Sequence, residues 1–297
     1  MNMTTACEAP GATAPAGREG HIRAQDDVEL YYRDYGDPLA SPTPVLCLAG
    51  LTRNSKDFHD LARRLAARRR VVCPDYRGRG RSSYDPHYRN YGPEGCVRDV
   101  LDLLAALNLH RVVVVGTSFG GILAMALGAA RPTVLAGVVL NDIGPELAAE
   151  GAERIAGYVG TDVRHADFET AARALKAQFH TAYPDLDDRQ WLDFARRTFV
   201  PDDNGSLRLD YDLALGRMLR NDAGTRPDLW PFYGSLAKVP VLAIRGALSD
   251  VLSEETFERM AEVKPDLVRV TVPNRGHVPL LDEPECVKAL DDFLADL

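Results

Sequence analysis

The chain has 297 residues, 45% of them hydrophobic and 26% charged, a soluble-protein balance with length enough for one large core plus an insertion. A net charge of −8 without a basic stripe excludes the usual footprint of a nucleic-acid binder, and no run of about 18 apolar residues is available for a membrane span. Five scattered cysteines without a Cys-x-x-Cys pair argue against a disulfide framework or a zinc site.

Residues 1–19 are rich in Ala, Pro and Gly and lack the basic start and apolar stretch of a secretory signal, so a disordered tail and a cytoplasmic location are expected. HIRAQ (21–25) and VELYYRDYG (28–36) read as a hairpin around Asp26 and Asp27. A buried strand is expected at 44–50 and a helix at 56–68. The cationic run at 64–70 reads as the solvated end of that helix, where positive charge is favourable. Next come a strand with a Gly- and Arg-rich turn at 70–82 and a helix at 93–107.

Residues 111–121 read RVVVVGTSFGG. The β-branched run Val112, Val113, Val114, Val115 predicts a strand buried on both faces, and 119–131 continues at helical spacing. Ser118 therefore lies on the corner between strand and helix. Gly116 and Gly120 flank it at two residues on either side and let the backbone turn sharply, the arrangement of a nucleophile elbow. A further strand is expected at 135–142.

The strand–helix alternation then stops. From 145 to 235 there are amphipathic helical patterns at 147–159, 166–180, 187–198 and 210–220 and no convincing buried strand, with breaks at Pro184, 201–205, Gly224 and Pro227. Alternation resumes with a strand within 238–250, a helix at 253–263, a strand at 267–273 and a helix at 283–293. The expected fold class is α/β, a mostly parallel doubly wound sheet formed by 20–144 and 236–297, with the helical block 145–235 folding over the strand ends as a lid.

With Gly116-Thr117-Ser118-Phe119-Gly120-Gly121, the turn Asp75-Tyr76-Arg77-Gly78-Arg79-Gly80-Arg81-Ser82 and Asn274-Arg275-Gly276-His277, the chain from about residue 21 onward resembles the α/β-hydrolase fold family, with a cap inserted after the sixth strand. The resemblance implies a triad in the order Ser, acid, His. His277 is then the general base, since neutral imidazole accepts the serine proton and returns it to a leaving group. The acid is expected at Asp250, past the strand VLAIRG, where the family usually carries it. Asp142, at the end of GVVLND, is the competing position, used by some relatives. Asp75 is expected to hold loops together. The oxyanion donors are expected to be the backbone amides of Phe119, at the helix start, and Leu51, after VLCLAG. Many relatives carry His-Gly where this chain has Ala49-Gly50, a change that leaves the main-chain donor in place.

A serine nucleophile favours acyl transfer to water, and a carboxylic ester, lactone or thioester of small or medium size is the expected substrate. Arg53 and Asn54 are candidates for binding its carboxylate or carbonyl, or equally for stabilising the loop. The TRNS stretch resembles that of capped relatives that hydrolyse amides or carbon–carbon bonds of ring-cleavage products. A small-molecule receptor with a vestigial triad is the alternative of a different class. No cofactor is expected, because RGRGRS lacks dinucleotide-binding spacing, and no metal, because no helix carries paired histidines at ligand spacing. The expected partner is a small-molecule substrate, and the expected assembly a monomer or homodimer.

Overall fold

The computed structural model describes residues 17–221 and 228–297. Cys7, most of the expected tail and the breaks at Gly224 and Pro227 lie outside them. The tail does not extend to residue 19, because β1 (Arg18–Arg23) already pairs from Arg18 with β2 (Glu29–Tyr35).

The hairpin leads into β3 (Val45–Leu48), α1 (His59–Leu65), β4 (Val71–Pro74), α2 (Pro93–Ala106), β5 (Val112–Thr117), α3 (Phe119–Ala130) and β6 (Leu135–Asn141). After a long insert, the chain returns through α8 (Trp230–Gly234), β10 (Val241–Gly246), α9 (Glu254–Val263), β11 (Val268–Val272) and α10 (Pro284–Ala295). These strands form one eight-stranded sheet in the order β1-β2-β4-β3-β5-β6-β10-β11. β1 and β2 run antiparallel at one edge, and every pair from β4 to β11 is parallel.

Burial on both faces explains the near-continuous apolar strands. Arg64 of α1 pairs with Asp291 of α10 on one side of the sheet, while α2, α3 and α8 pack together on the other. Every residue of β3, β4, β5, β6 and β10 is buried. Cys47, Cys73, Cys96 and Cys286 are unpaired and buried, acting as small apolar side chains.

The insert contains α4 (Ala149–Tyr158), α5 (Phe168–Phe179), α6 (Asp188–Thr198) and α7 (Leu215–Asn221). Asp167 caps α5, and Asp187 with Gln190 forms a reciprocal capping box on α6. The expectation of an all-helical insert is corrected by three short strands, β7 (Arg164–His165), β8 (Phe199–Pro201) and β9 (Leu207–Leu209), paired in the order β7-β9-β8. At two or three residues each they are too short for an alternation pattern to register. The helix expected from 210 starts at Leu215, because Asp210 and Tyr211 are drawn inward. Asp210 accepts from the Asn54 side chain, and Tyr211 bridges to Arg79. The insert has its own aromatic core around Tyr183, Trp191, Phe194 and Phe199.

Candidate active site

Parallel register brings three strand ends level. Leu48 of β3 pairs with Gly116 of β5, and Thr117 of β5 pairs with Asn141 of β6. The residues just beyond these ends, 49–51, Ser118 and Asp142, therefore emerge side by side at the carboxyl edge of the sheet, where open α/β sheets bind ligands.

Ser118 has φ 51° and ψ −115°, a left-handed turn between β5 and α3. The turn is possible because its neighbours lack side chains. A Cβ on Gly120 would stand 2.0 Å from the Leu48 carbonyl oxygen, and one on Gly116 would stand 2.5 Å from the Gly120 carbonyl oxygen. The Ser118 amide donates to the Asn141 carbonyl at 2.9 Å, tying the corner to β6.

The His277 imidazole lies beside this corner, with Nε2 2.8 Å from the Ser118 Oγ and Nδ1 2.7 Å from an Asp142 carboxylate oxygen. Asp142 is wholly buried, and its carboxylate also accepts from the Gly246 amide at 2.8 Å and from the Ser249 hydroxyl at 2.6 Å. Three donors fix its orientation and offset the cost of burying an acceptor. Asp250 does not occupy the expected position. It faces the insert, accepting from Arg154 Nε and Nη2 of α4 at 2.5 and 2.8 Å. Burial raises the Asp250 carboxyl, but the hydrogen bonds and charge of Arg154 outweigh this and hold it below the usual carboxylate range.

The physical reason for this correction is register. Asp142 directly follows β6, the strand next to the serine strand, whereas Asp250 lies four residues past the end of β10. Ser249 turns its hydroxyl inward to Asp142, and Asp250 turns toward Arg154. Asp75 takes the bracing role expected of it, accepting from the amides of Ser55 and Arg81 at 2.7 and 2.8 Å.

The two expected oxyanion donors are distributed as follows. Phe119 opens α3, so its N–H belongs to the first helical turn, whose amides lack intrahelical acceptors. Its ring packs edge-on against Tyr76, away from the cavity. Leu51 lines the cavity beside Ser118, and its carbonyl is held by Arg79 Nε at 2.7 Å. Arg79 is completely buried, with its guanidinium over the rings of Tyr76, Tyr91 and Phe119. It thus braces the loop after β3 against the elbow, the role the Gly- and Arg-rich turn plays in this chain.

A cavity of about 260 Å³ opens over Ser118 and His277. Leu51, Phe58, Leu61 and Leu281 line it from the core, and Ile155, Tyr158, Leu175, Phe179, Phe194 and Phe199 line it from the insert. Its polar groups include Arg53, Arg154, Gln178 and Thr198. Arg53 is therefore in the expected place, but it is already engaged. It makes a two-pronged pair with Asp57, at 2.7 and 2.6 Å, donates to Thr198 Oγ1 at 2.6 Å and lies over the Phe194 ring. Asn54 does not line the cavity, which corrects its expected substrate-binding role. Its Nδ2 donates to Asp210 at 2.9 Å, and its Oδ1 accepts from the Lys56 amide, so it joins the insert to the core.

Sequence reasoning missed Asn141, Ser249, Arg154 and Tyr183. Asn141 Nδ2 donates to Thr117 Oγ1 and to the Pro279 carbonyl at 3.1 and 3.0 Å, linking the serine strand to the histidine loop. A signal for it existed, since Asn-Asp ends an otherwise apolar strand. Among the described residues, no cluster of His, Cys, Asp and Glu is arranged to hold a metal ion, and no helix is long and apolar enough to cross a membrane.

Comparison with known proteins agrees with this architecture. Over 275 residues the chain is 34% identical to the 3-hydroxybutyrate-oligomer hydrolase of Cupriavidus necator, covering 89% of this chain and 92% of that protein. It is 28% identical to the 2-(acetamidomethylene)succinate hydrolase of Mesorhizobium japonicum, over 84% of this chain and 87% of that one. Among solved structures, an alpha/beta hydrolase from Novosphingobium aromaticivorans superposes with a TM-score of 0.90 at 42% identity, covering 97% of this chain and all of that one. The profile of the Alpha/beta hydrolase family matches residues 45–288, and the chain belongs to that family.

Proposed function

We propose that the protein is a serine hydrolase of small or medium carboxylic esters, working through an acyl-serine intermediate with Ser118 as nucleophile, His277 as base and Asp142 as the orienting acid. The observation that carries this reading is the unbroken line from Ser118 Oγ to His277 Nε2 and from His277 Nδ1 to Asp142.

In the first half-reaction, Ser118 Oγ attacks the ester carbonyl carbon while its proton passes to His277 Nε2. Asp142 accepts from Nδ1–H, holding the tautomer that leaves Nε2 free and stabilising the imidazolium that forms. Negative charge gathers on the carbonyl oxygen, which the amides of Phe119 and Leu51 receive. As the tetrahedral intermediate collapses, the C–O bond to the alcohol breaks and the imidazolium returns its proton to the departing oxygen. Water then attacks the acyl-serine, His277 takes its proton, and the acid leaves with Ser118 restored.

The substrate class follows from the cavity. At about 260 Å³ it lies just below the ~300–1,000 Å³ of pockets for drug-sized ligands, a size that favours a short acyl chain. Apolar walls with a few polar groups suit a short hydroxyacyl ester, in keeping with the name of the Cupriavidus relative. The insert, acting as a cap, would shield the acyl-enzyme from bulk water.

A panel of p-nitrophenyl butyrate, 3-hydroxybutyrate dimer and trimer, a lactone, an N-acyl amide and a ring-cleavage dienone tests this, each with wild type and Ser118→Ala. Multiple turnover of the esters, abolished in Ser118→Ala, is the expected result. Preference for the amide or the dienone would move the activity to the other hydrolytic chemistries. Release of one equivalent without turnover would favour a receptor.

A further inference from the structure

We propose that residues 182–185 of the insert are a positioning clamp for His277, with Tyr183 as its centre, so that the base is aligned on Ser118 only while the insert is seated on the core. The inference rests on the serine-hydrolase reading above. His277 points its ring at core residues, but the backbone on both sides of it is held from the insert. The Gly276 amide donates to the Ala182 carbonyl at 2.7 Å. The Tyr183 hydroxyl accepts from the Val278 amide at 2.7 Å and donates to the Val278 carbonyl at 3.0 Å. Arg275 is ion-paired with Asp185.

The core anchors the loop further out. The Arg275 carbonyl accepts from the Leu248 amide at 2.8 Å, and the Pro279 carbonyl accepts from Asn141 at 3.0 Å. Between those anchors, the Gly276 amide and both the amide and the carbonyl of Val278 are satisfied by the insert. The fit is also steric, since a Cβ on Gly276 would stand 2.6 Å from that of Ala182. Tyr183 is itself fixed, buried and packed edge-on against Trp191. Burial raises its phenol well above the usual tyrosine value, so the hydroxyl stays neutral and both donates and accepts at working pH. Removing that hydroxyl leaves the two part-buried backbone groups of Val278 without this partner and frees the loop at the residue after the base.

The test compares wild type, Tyr183→Phe and Lys56→Gln, reading kcat and KM on p-nitrophenyl butyrate, the rate of fluorophosphonate labelling of Ser118 and the thermal midpoint. Lys56→Gln removes a different insert–core contact, the 2.8 Å pair with Asp210, away from the histidine loop. Because small misplacements of reacting groups are costly, Tyr183→Phe should lower kcat and labelling about 10-fold with KM held within about 2-fold, while Lys56→Gln stays near wild type. Wild-type kcat in Tyr183→Phe, or an equal loss in Lys56→Gln, overturns the clamp. Should Tyr183→Phe fold poorly, Asp185→Asn carries the comparison from a half-exposed site, with a loss of about 3-fold in kcat at unchanged KM expected and wild-type kcat overturning the proposal. Failure of the wild type to label at Ser118 would sink the hydrolase reading itself. A labelled wild type with an unaltered Tyr183→Phe would sink only the clamp.

Discussion

The carboxyl edge of the sheet and the insert above it are built by different means. At the sheet edge, position comes from backbone: strand register levels 49–51, Ser118 and Asp142, and amides of Gly246 and Ser118 make the fixing hydrogen bonds. The insert is joined to the core by scattered backbone hydrogen bonds, such as Gly276 to Ala182 and Gly80 to Asp210, and by side-chain pairs, including Arg154–Asp250, Lys56–Asp210 and Arg197–Asp60. Contacts of the first kind leave little freedom to the reacting atoms. The side-chain pairs leave the cavity wall freer to change, whereas the bonds from 182, 183 and 185 tie the histidine loop to the insert.

The sharpest way to break this contrast is at the reacting atoms. Ser118→Ala should lose turnover by about 10⁴-fold or more, measured as kcat/KM on the best ester of the panel, because the proposed nucleophile is removed. Asp142→Asn should cost about 10³- to 10⁴-fold, since an amide in place of the carboxylate favours the wrong imidazole tautomer. Asp250→Asn, which touches only the insert contact, should stay within about 3-fold, because a partly exposed pair contributes little. Comparable losses in the two Asp variants would erase the distinction between the regions.

A smaller effect sharpens the same contrast through stability. Gly120→Ala places a methyl group against the Leu48 carbonyl, where backbone cannot yield cheaply, and should lower unfolding free energy by about 3 kcal/mol in chemical denaturation. The smallest effect belongs to the insert. The folded Asp250 carboxyl sits below its ordinary value of 3.8, so its contribution is in place above that value and is lost as pH falls through the folded one. Wild type should therefore exceed Asp250→Asn by less than about 1 kcal/mol near pH 6, with the gap closing in acid. A gap that widens on acidification would reverse the assigned sign.

The fold was legible because its signals are regional. Runs such as Val112, Val113, Val114, Val115 and 241–244 mark strands covered on both faces, and alternation with helices leaves few ways to arrange them. Ser118 was legible because Gly116 and Gly120 report a backbone conformation that few other sequences tolerate. The acid was not. Both Asp142 and Asp250 follow strands that end at the same edge, and what separates them is three-dimensional: Asp142 emerges level with Ser118, while Asp250 turns to a partner 96 residues away, Arg154. The same holds for Arg53 and Asn54, adjacent in sequence and divided by the strands and helices they face, one at the cavity wall and one in the joint with Asp210. Short strands of the insert escaped for a different reason, being shorter than any period that would reveal them.

The most direct test of the account is site-resolved labelling by a fluorophosphonate, followed by intact-mass and peptide mass spectrometry on wild type, Asp142→Asn and Asp250→Asn. The account predicts a single adduct on Ser118, formed slowly in Asp142→Asn and at nearly the wild-type rate in Asp250→Asn. Absence of an adduct at Ser118, or slowing confined to Asp250→Asn, would contradict it.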